Sequence, residues 1–134
     1  MSRPIVMSFG AGVQSTTLAL LAAERDERLG GLLGGFPSVY VFADTGEEPR
    51  KVYKHLERCR DIIEGGGAAL VEVSADEALG DHMRRKIKAG EGGVSNPPLW
   101  VATDSGDATP LLRGCTRDFK VKPLDRFIRG HFEI

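Results

Sequence analysis

Three groups of residues in this chain have types and spacings that suit chemistry. The first is Ser8-Phe9-Gly10-Ala11-Gly12-Val13-Gln14-Ser15-Thr16, which leaves an apolar run, passes two glycines and enters a helix-like pattern. Gly10 and Gly12 keep side chains off the turn, and a helix start behind them offers unpaired N–H groups and the positive end of its dipole, a ready site for phosphate oxygens. Ser8, Gln14, Ser15 and Thr16 add hydroxyl and amide groups. The second group is Asp44-Thr45-Gly46 with Glu47 and Glu48; Asp44 follows a second apolar run, where an acidic residue can take a ribose hydroxyl. The third is basic: from Pro110 onward six Lys or Arg residues (Arg113, Arg117, Lys120, Lys122, Arg126, Arg129) stand against three acids (Asp118, Asp125, Glu133). In a chain whose formal net charge is -1, such a segment can neutralise a polyphosphate or sulfate group.

Spacing sets other chemistries aside. Cys59 and Cys115 are far apart and outside any CxxC pair, so neither a disulfide framework nor a cysteine zinc site is expected. Cys59 falls on the apolar face of a helical pattern and reads as a small core residue. His55, His82 and His131 have no ligand spacing, so a metal site built from them is not expected. A Walker loop needs GxxxxGK[ST], and no glycine–lysine pair lies near the turn. A dinucleotide fingerprint, GxGxxG, stays open: Gly10 and Gly12 fit, Ser15 stands at the third glycine, and Asp44 would be its acidic residue. A tight β–α turn with capping hydroxyls and no ligand also stays open.

The elements that position these groups alternate. Pro4 to Ser8 and Val39 to Ala43 are continuous apolar runs, the pattern of central strands buried on both faces of a parallel sheet. Between them, Gln14 to about Arg28 reads as one helix with Leu18, Leu21 and Ala22 on one face, ended by the glycines of residues 30–35. A second helix opens at Pro49 and runs to about Glu64, with Glu47 and Glu48 at its positive end and Val52, Leu56, Cys59 and Ile63 on its buried face. Ala69 to Val73 reads as a third strand, Asp76 to Lys88 as a third helix, Leu99 to Thr103 as a fourth strand, and the segment after Pro123 as a last short helix. Gly90 to Pro98 is rich in breakers and reads as a loop.

Strands alternating with helices indicate a three-layer α/β/α sandwich with a mainly parallel, Rossmann-like sheet. At 134 residues, 41% hydrophobic and 28% charged, the chain is expected to be a single domain over residues 1–134. No stretch approaches the roughly 18 apolar residues of a membrane span, and the first residues lack a secretory core. A cytoplasmic location and no membrane partner are expected.

Three blocks carry a family resemblance. Gly10 to Ser15 resembles the pyrophosphate-binding loop of the adenine nucleotide α-hydrolase (PP-loop ATP pyrophosphatase) superfamily, whose usual form is SGGxDS. Gly12, Val13 and Ser15 fit it, while Gly10 replaces serine, Ala11 replaces glycine and Gln14 replaces aspartate. "VFADTGEEP" at Val41 to Pro49 is similar to the segment after the second strand of phosphoadenosine phosphosulfate (PAPS) reductases, where Asp-Thr-Gly precedes a helix start bearing proline and glutamate. "GCTRDFKVKPL" at Gly114 to Leu124 is similar to that family's CCxxxKVxPL, with Cys115, Lys120, Val121, Pro123 and Leu124 in register. In order, the three cover most of the chain. Asp44-Thr45-Gly46 also matches the catalytic turn of aspartic proteases, but those are all-β and pair two such turns, whereas a helical pattern begins here at Pro49.

The resemblance implies an adenine nucleotide ligand, ATP or a sulfonucleotide, with Mg2+. It implies phosphates on Ser8, Gly10, Gly12, Gln14, Ser15 and Thr16, adenosine beside Asp44, Thr45 and Gly46, and further anion contacts from Arg117 and Lys122. Asp44 and Lys120 would be catalytic, and Asp44 with Glu47, or Glu48, would hold the metal. The implied reactions are cleavage of ATP between its α- and β-phosphates, leaving an adenylate and pyrophosphate, or reduction of a sulfonucleotide. Thr116 stands where the iron–sulfur type has its second adjacent cysteine, so no iron–sulfur cluster is expected. The chain stops before the last strand and the arginine motif of family members, which makes a shortened version the expectation and favours nucleotide binding over reduction. The acceptor would be RNA or a sulfur carrier; Met83 to Lys88 ("MRRKIK") is basic enough to meet RNA. A non-catalytic binding module, as a homo-oligomer or one subunit of an assembly, is the alternative of a different class.

Overall fold

The computed structural model describes residues 4–91, 100–110 and 114–132. The chain divides into two compact units, one holding residues up to Ala43 with Glu48–Val73, the other holding Asp44–Glu47 with the residues from Ser74 onward. Strands β1 (Val6–Ser8), β2 (Val39–Asp44) and β3 (Ala69–Ser74) form a parallel sheet in the order β1-β2-β3, giving the chain its α/β character. β1 and β2 run parallel with Val6 opposite Val39 and Ser8 opposite Val41. Their connections carry helices α1 (Val13–Ala23), α2 (Glu27–Leu33) and α3 (Arg50–Gly65).

In the first unit β2 and α3 bury the residues their patterns mark, whereas on α1 the expected Leu18 is exposed and Leu21 only partly buried. Tyr40, Val41 and Phe42 are consecutive and all buried, so both faces of β2 are covered, as its unbroken apolar run requires. Leu56, Cys59 and Ile63 are buried on α3, and half-buried Val52 packs against the same cluster. Ala19 and Ala22 are the buried residues of α1, small enough for α3 to approach closely. The Phe9 ring meets Tyr40 edge-on, centroids 6.2 Å apart, the arrangement favoured by ring quadrupoles.

Several expected elements differ from those observed. β1 is an edge strand among the described residues, short and half-exposed, where a central strand is expected from its apolar run. The single helix expected over residues 14–28 is two helices. Arg25 adopts φ 57, ending α1, and Asp26 restarts the chain by accepting hydrogen bonds from Arg28 N–H (3.0 Å) and Leu29 N–H (3.1 Å). Gly30 and Gly31 therefore lie inside α2, which ends instead at Gly34 in the left-handed conformation (φ 70).

In the second unit, α4 spans Leu79–Lys88, starting three residues later than the expected Asp76. The expected fourth strand is β4 (Trp100–Ala102), and it pairs antiparallel with β5 (Ala108–Pro110) in a separate two-stranded sheet. The hairpin between them closes through Thr103 N–H to Asp107 O (2.8 Å), with Gly106 at φ 85; Asp104-Ser105-Gly106-Asp107 is turn chemistry that binds strand to strand. The last helix begins well before Pro123: α5 (Gly114–Thr116), a π-helical turn (Arg117–Val121) and α6 (Lys122–Phe132) run on without a break. Pro123 has no N–H to give and crowds the carbonyl four residues back, and the turn before it widens so that Lys122 N–H reaches Arg117 O. The loop expected over Gly90 to Pro98 lies mostly outside the described residues. No helix among the described residues is long and apolar enough to cross a membrane.

Candidate functional site

The turn between β1 and α1 lies in the first unit. Phe9 anchors its start: its N–H bonds Val41 O (2.8 Å) and its side chain is 1% exposed. The chain then turns through Gly10, Ala11 and Gly12, and the first helical bond is Thr16 N–H to Gly12 O at 3.0 Å. The N–H groups of Val13, Gln14 and Ser15 precede that bond, and no side chain caps the helix start. Positive dipole and unpaired donors are therefore both presented there.

The backbone conformations of the turn reverse the usual placement of glycine. Ala11 is the residue in the left-handed region, at φ 52, and its half-buried methyl packs on the core. Gly12 has an ordinary extended conformation, φ -89 and ψ 175, and a Cβ built on Gly10 or Gly12 meets nothing within 4 Å. Neither glycine is demanded by backbone strain or by neighbouring atoms. Both positions face open space.

The side chains of the turn divide. Ser8 and Gln14 are exposed. Ser15 Oγ donates back to Gly12 O (3.2 Å), and Thr16 Oγ1 lies 2.9 Å from His55 Nε2, which is in turn 3.4 Å from Cys59 Sγ. Thr16 thus joins a small polar chain between α1 and α3, and its hydroxyl is turned away from the role expected of it. Burial pushes the Cys59 thiol above its ordinary value, against a smaller opposite effect of the Thr16 hydroxyl, which keeps it a protonated core residue.

In the second unit, the Asp44 carboxylate accepts the Gly46 N–H (2.8 Å), and the buried Thr45 accepts Glu47 N–H at its hydroxyl (3.3 Å) and Leu79 N–H at its carbonyl (3.0 Å). The turn is thereby fastened to the start of α4. Gly46 sits at φ 76 with Ala78 Cβ only 2.8 Å from where its own Cβ would stand, so here glycine is required by both conformation and space. Gly46→Ala should cost the second unit about 2 kcal/mol, read as a lowered denaturation midpoint; an unchanged midpoint would contradict this account. A methyl on Gly80 would run into the Glu47 carboxylate, so Glu47 is held close over the first turn of α4. Among the described residues, no three His, Cys, Asp or Glu side chains gather in a metal-holding arrangement.

The basic segment is internally paired. Arg117 Nε (3.2 Å) and Lys122 Nζ (2.8 Å) share Asp118 Oδ1, Arg129 pairs with Asp125 (2.8 Å), and Arg126 with Asp76 (3.1 Å). Lys120 is exposed on the π-helical turn, and Arg113 lies outside the described residues. The basic run on α4 is similarly engaged: Arg84 with Asp81, Arg85 with Glu77, and Lys86 with Glu91.

One cluster escaped the sequence reading. Glu77 Oε1 lies 2.7 Å from His82 Nδ1 and 2.6 Å from Arg85 Nη2, and His82 packs edge-on against the buried Phe119 with centroids 5.5 Å apart. Glu77, His82 and Arg85 come together only because α4 starts at Leu79 and turns both later residues back toward the residue just before it. The hydrogen bonds from Arg85 and then from His82 hold the Glu77 carboxyl down at about 2. Because that value lies below the unfolded one, the pairing stabilises the fold at neutral pH, and the contribution disappears as pH falls from about 4.5 toward 2. Acid titration of helix content should therefore be shallower in Glu77→Gln than in the parent chain over that window; identical profiles would refute the linkage.

Comparison of the chain with protein-family models, with curated proteins and with solved structures finds no match.

Proposed function

We propose that this chain is an adenine-nucleotide-binding domain of the PAPS reductase-like kind, built on a three-layer α/β/α arrangement, and that the β1–α1 turn takes the phosphates of the ligand. The observation that carries the reading is the distribution of glycine in that turn. Gly10 and Gly12 stand where neither conformation nor packing asks for glycine, while alanine occupies the left-handed position between them. Absent side chains over open space, in front of an uncapped helix start, suit an oxyanion arriving from solvent.

In this reading the backbone N–H groups of residues 13–15 do most of the phosphate binding, since Ser15 and Thr16 direct their hydroxyls elsewhere. Ser8 and Gln14 add side-chain contacts. In the second unit, taken by itself, Asp44 and Glu47 offer the hard oxygen ligands that Mg2+ favours. When bound, the ion offsets the negative charge of the phosphates. Lys120 contributes a positive charge, and Asp44 and Lys120 are the residues assigned to catalysis.

Thermal unfolding in the presence of ATP with magnesium, PAPS, adenosine 5′-phosphosulfate or NAD tests the proposal. ATP or a sulfonucleotide should raise the midpoint and NAD should not; at a hundredfold excess over Kd the gain is about 2.7 kcal/mol. A shift with NAD alone would replace this reading with a dinucleotide site. Pyrophosphate release from ATP separates an enzyme from a module that binds without turnover.

A further inference from the structure

A second candidate site lies at the other end of the first unit's sheet and is independent of the nucleotide reading. The β1–α1 turn follows the carboxyl end of β1, whereas Ser38 and Ala68 stand just before β2 and β3, beside the last turns of α1 and α3. A cavity of about 100 Å³ opens there, inside the first unit. Ala19, Ala22, Phe36, Pro37, Ile63 and Ala68 give it apolar walls.

Two polar groups meet this apolar space. Tyr40 is 2% exposed, and its hydroxyl has no hydrogen-bond partner among the described residues. No fully buried side-chain oxygen or nitrogen there lacks a partner, so the hydroxyl is where Tyr40 reaches accessible space, and the cavity it lines is that space. Burial pushes the phenol above its ordinary value, against a smaller opposite effect of the Arg25 charge, so it stays protonated and able to donate. Arg25 stands on the same lining, its guanidinium 5.0 Å from the centre of the Phe36 ring and its Nη2 donating to Gly66 O (3.3 Å). Its remaining side-chain donors have no partner among the described residues, and no carboxylate there pairs with it. Arg25 holds φ 57, a conformation that glycine adopts at lower cost, so what arginine adds at this position is its side chain.

Charge selects the occupant. Among the described residues no carboxylate lines the cavity, and the Arg25 guanidinium is its one full charge. The carboxyl ends of α1 and α3, roughly half a negative charge each, offset that cation. An anion would meet those two carbonyl ends, whereas a neutral acceptor meets the donors of Tyr40 and Arg25 without that cost. We propose that the cavity binds a small neutral molecule with a carbonyl group, its oxygen accepting from Tyr40 and Arg25 and its apolar body lying among Ala19, Ala22 and Ile63. The space suits a group of roughly five non-hydrogen atoms, since an apolar cavity of about 150 Å³ takes benzene.

The test is amide NMR of the full chain titrated with 2-butanone and, separately, with propionate, which has the same number of non-hydrogen atoms but carries a charge. Butanone should shift the signals of Arg25, Ser38 and Ala68 saturably, with a Kd of about 1 mM, and propionate should bind about fivefold more weakly. Tyr40→Phe keeps the ring in the core and removes only the hydroxyl, so butanone affinity should fall about fivefold. Arg25→Gly should weaken butanone by a similar factor without lowering the thermal midpoint, because glycine suits the left-handed position. The absence of a saturable shift with butanone, or a butanone affinity unchanged in both variants, would overturn the site. Propionate binding more tightly than butanone would overturn the choice of a neutral ligand. Gly12→Val separates the two sites, because a butanone response that survives in that variant does not depend on the β1–α1 turn.

Discussion

Gly12→Val is expected to weaken ATP binding at least a hundredfold, about 2.8 kcal/mol, while the free protein loses only about 1 kcal/mol of stability. The two effects separate because of where Gly12 stands. Its φ of -89 and ψ of 175 are open to any L residue, and nothing within 4 Å obstructs a side chain there, so the fold tolerates valine apart from its poor fit to a helix N-cap. The branched side chain would occupy open space at the helix start, beside the turn where the phosphate is proposed to lie. Calorimetry with ATP and magnesium, beside a thermal melt of the free variant, measures both quantities. Unchanged ATP affinity in a folded variant would remove the turn from the site.

Phe9→Ala carries the largest expected cost in stability, about 3–5 kcal/mol, out of the roughly 5–15 kcal/mol that holds a domain of this size. Phe9 is almost wholly buried, joins the cluster formed by Tyr40, Leu56 and Ile63, and makes an edge-on ring contact that alanine cannot replace. It is also the last residue bonded to β2 before the turn, through its N–H to Val41 O. The cavity left by truncation would loosen the base of the turn, so nucleotide affinity should fall along with the denaturation midpoint. Phe9→Leu, which restores most of the volume, should recover most of both; a loss below about 1 kcal/mol in Phe9→Ala would show that Phe9 is not a core anchor.

The legibility of the chain differs from one element to another. The buried face of α3 could be read in advance at Leu56, Cys59 and Ile63, because helical period and apolar type agree from Val52 to Ile63, about three turns. β2 was equally plain, since an unbroken apolar run suits only a strand covered on both faces. The division of the first helix was hidden, because the signal that ends α1 is a single arginine in a left-handed conformation and the signal that starts α2 is an aspartate inside a charged run. The hairpin of β4 and β5 was missed for a related reason. Its turn residues were visible, but two strands of three residues offer too little alternation to announce a pairing.

The sequence by itself determined the alternation of strands and helices, the buried residues of β2 and α3 and the turn of two glycines with its hydroxyls. These depend on local residue type and period, which a chain carries wherever it folds. Tertiary structure alone decided that Thr16 points to His55 and not outward, that Gly10 and Gly12 face open space while Gly46 is wedged against Ala78, and that Glu77, His82 and Arg85 meet beside Phe119. Each of these depends on how closely another element approaches. Type and spacing nominate residues for a site, whereas orientation and free volume around them are set by the packing of segments distant in sequence.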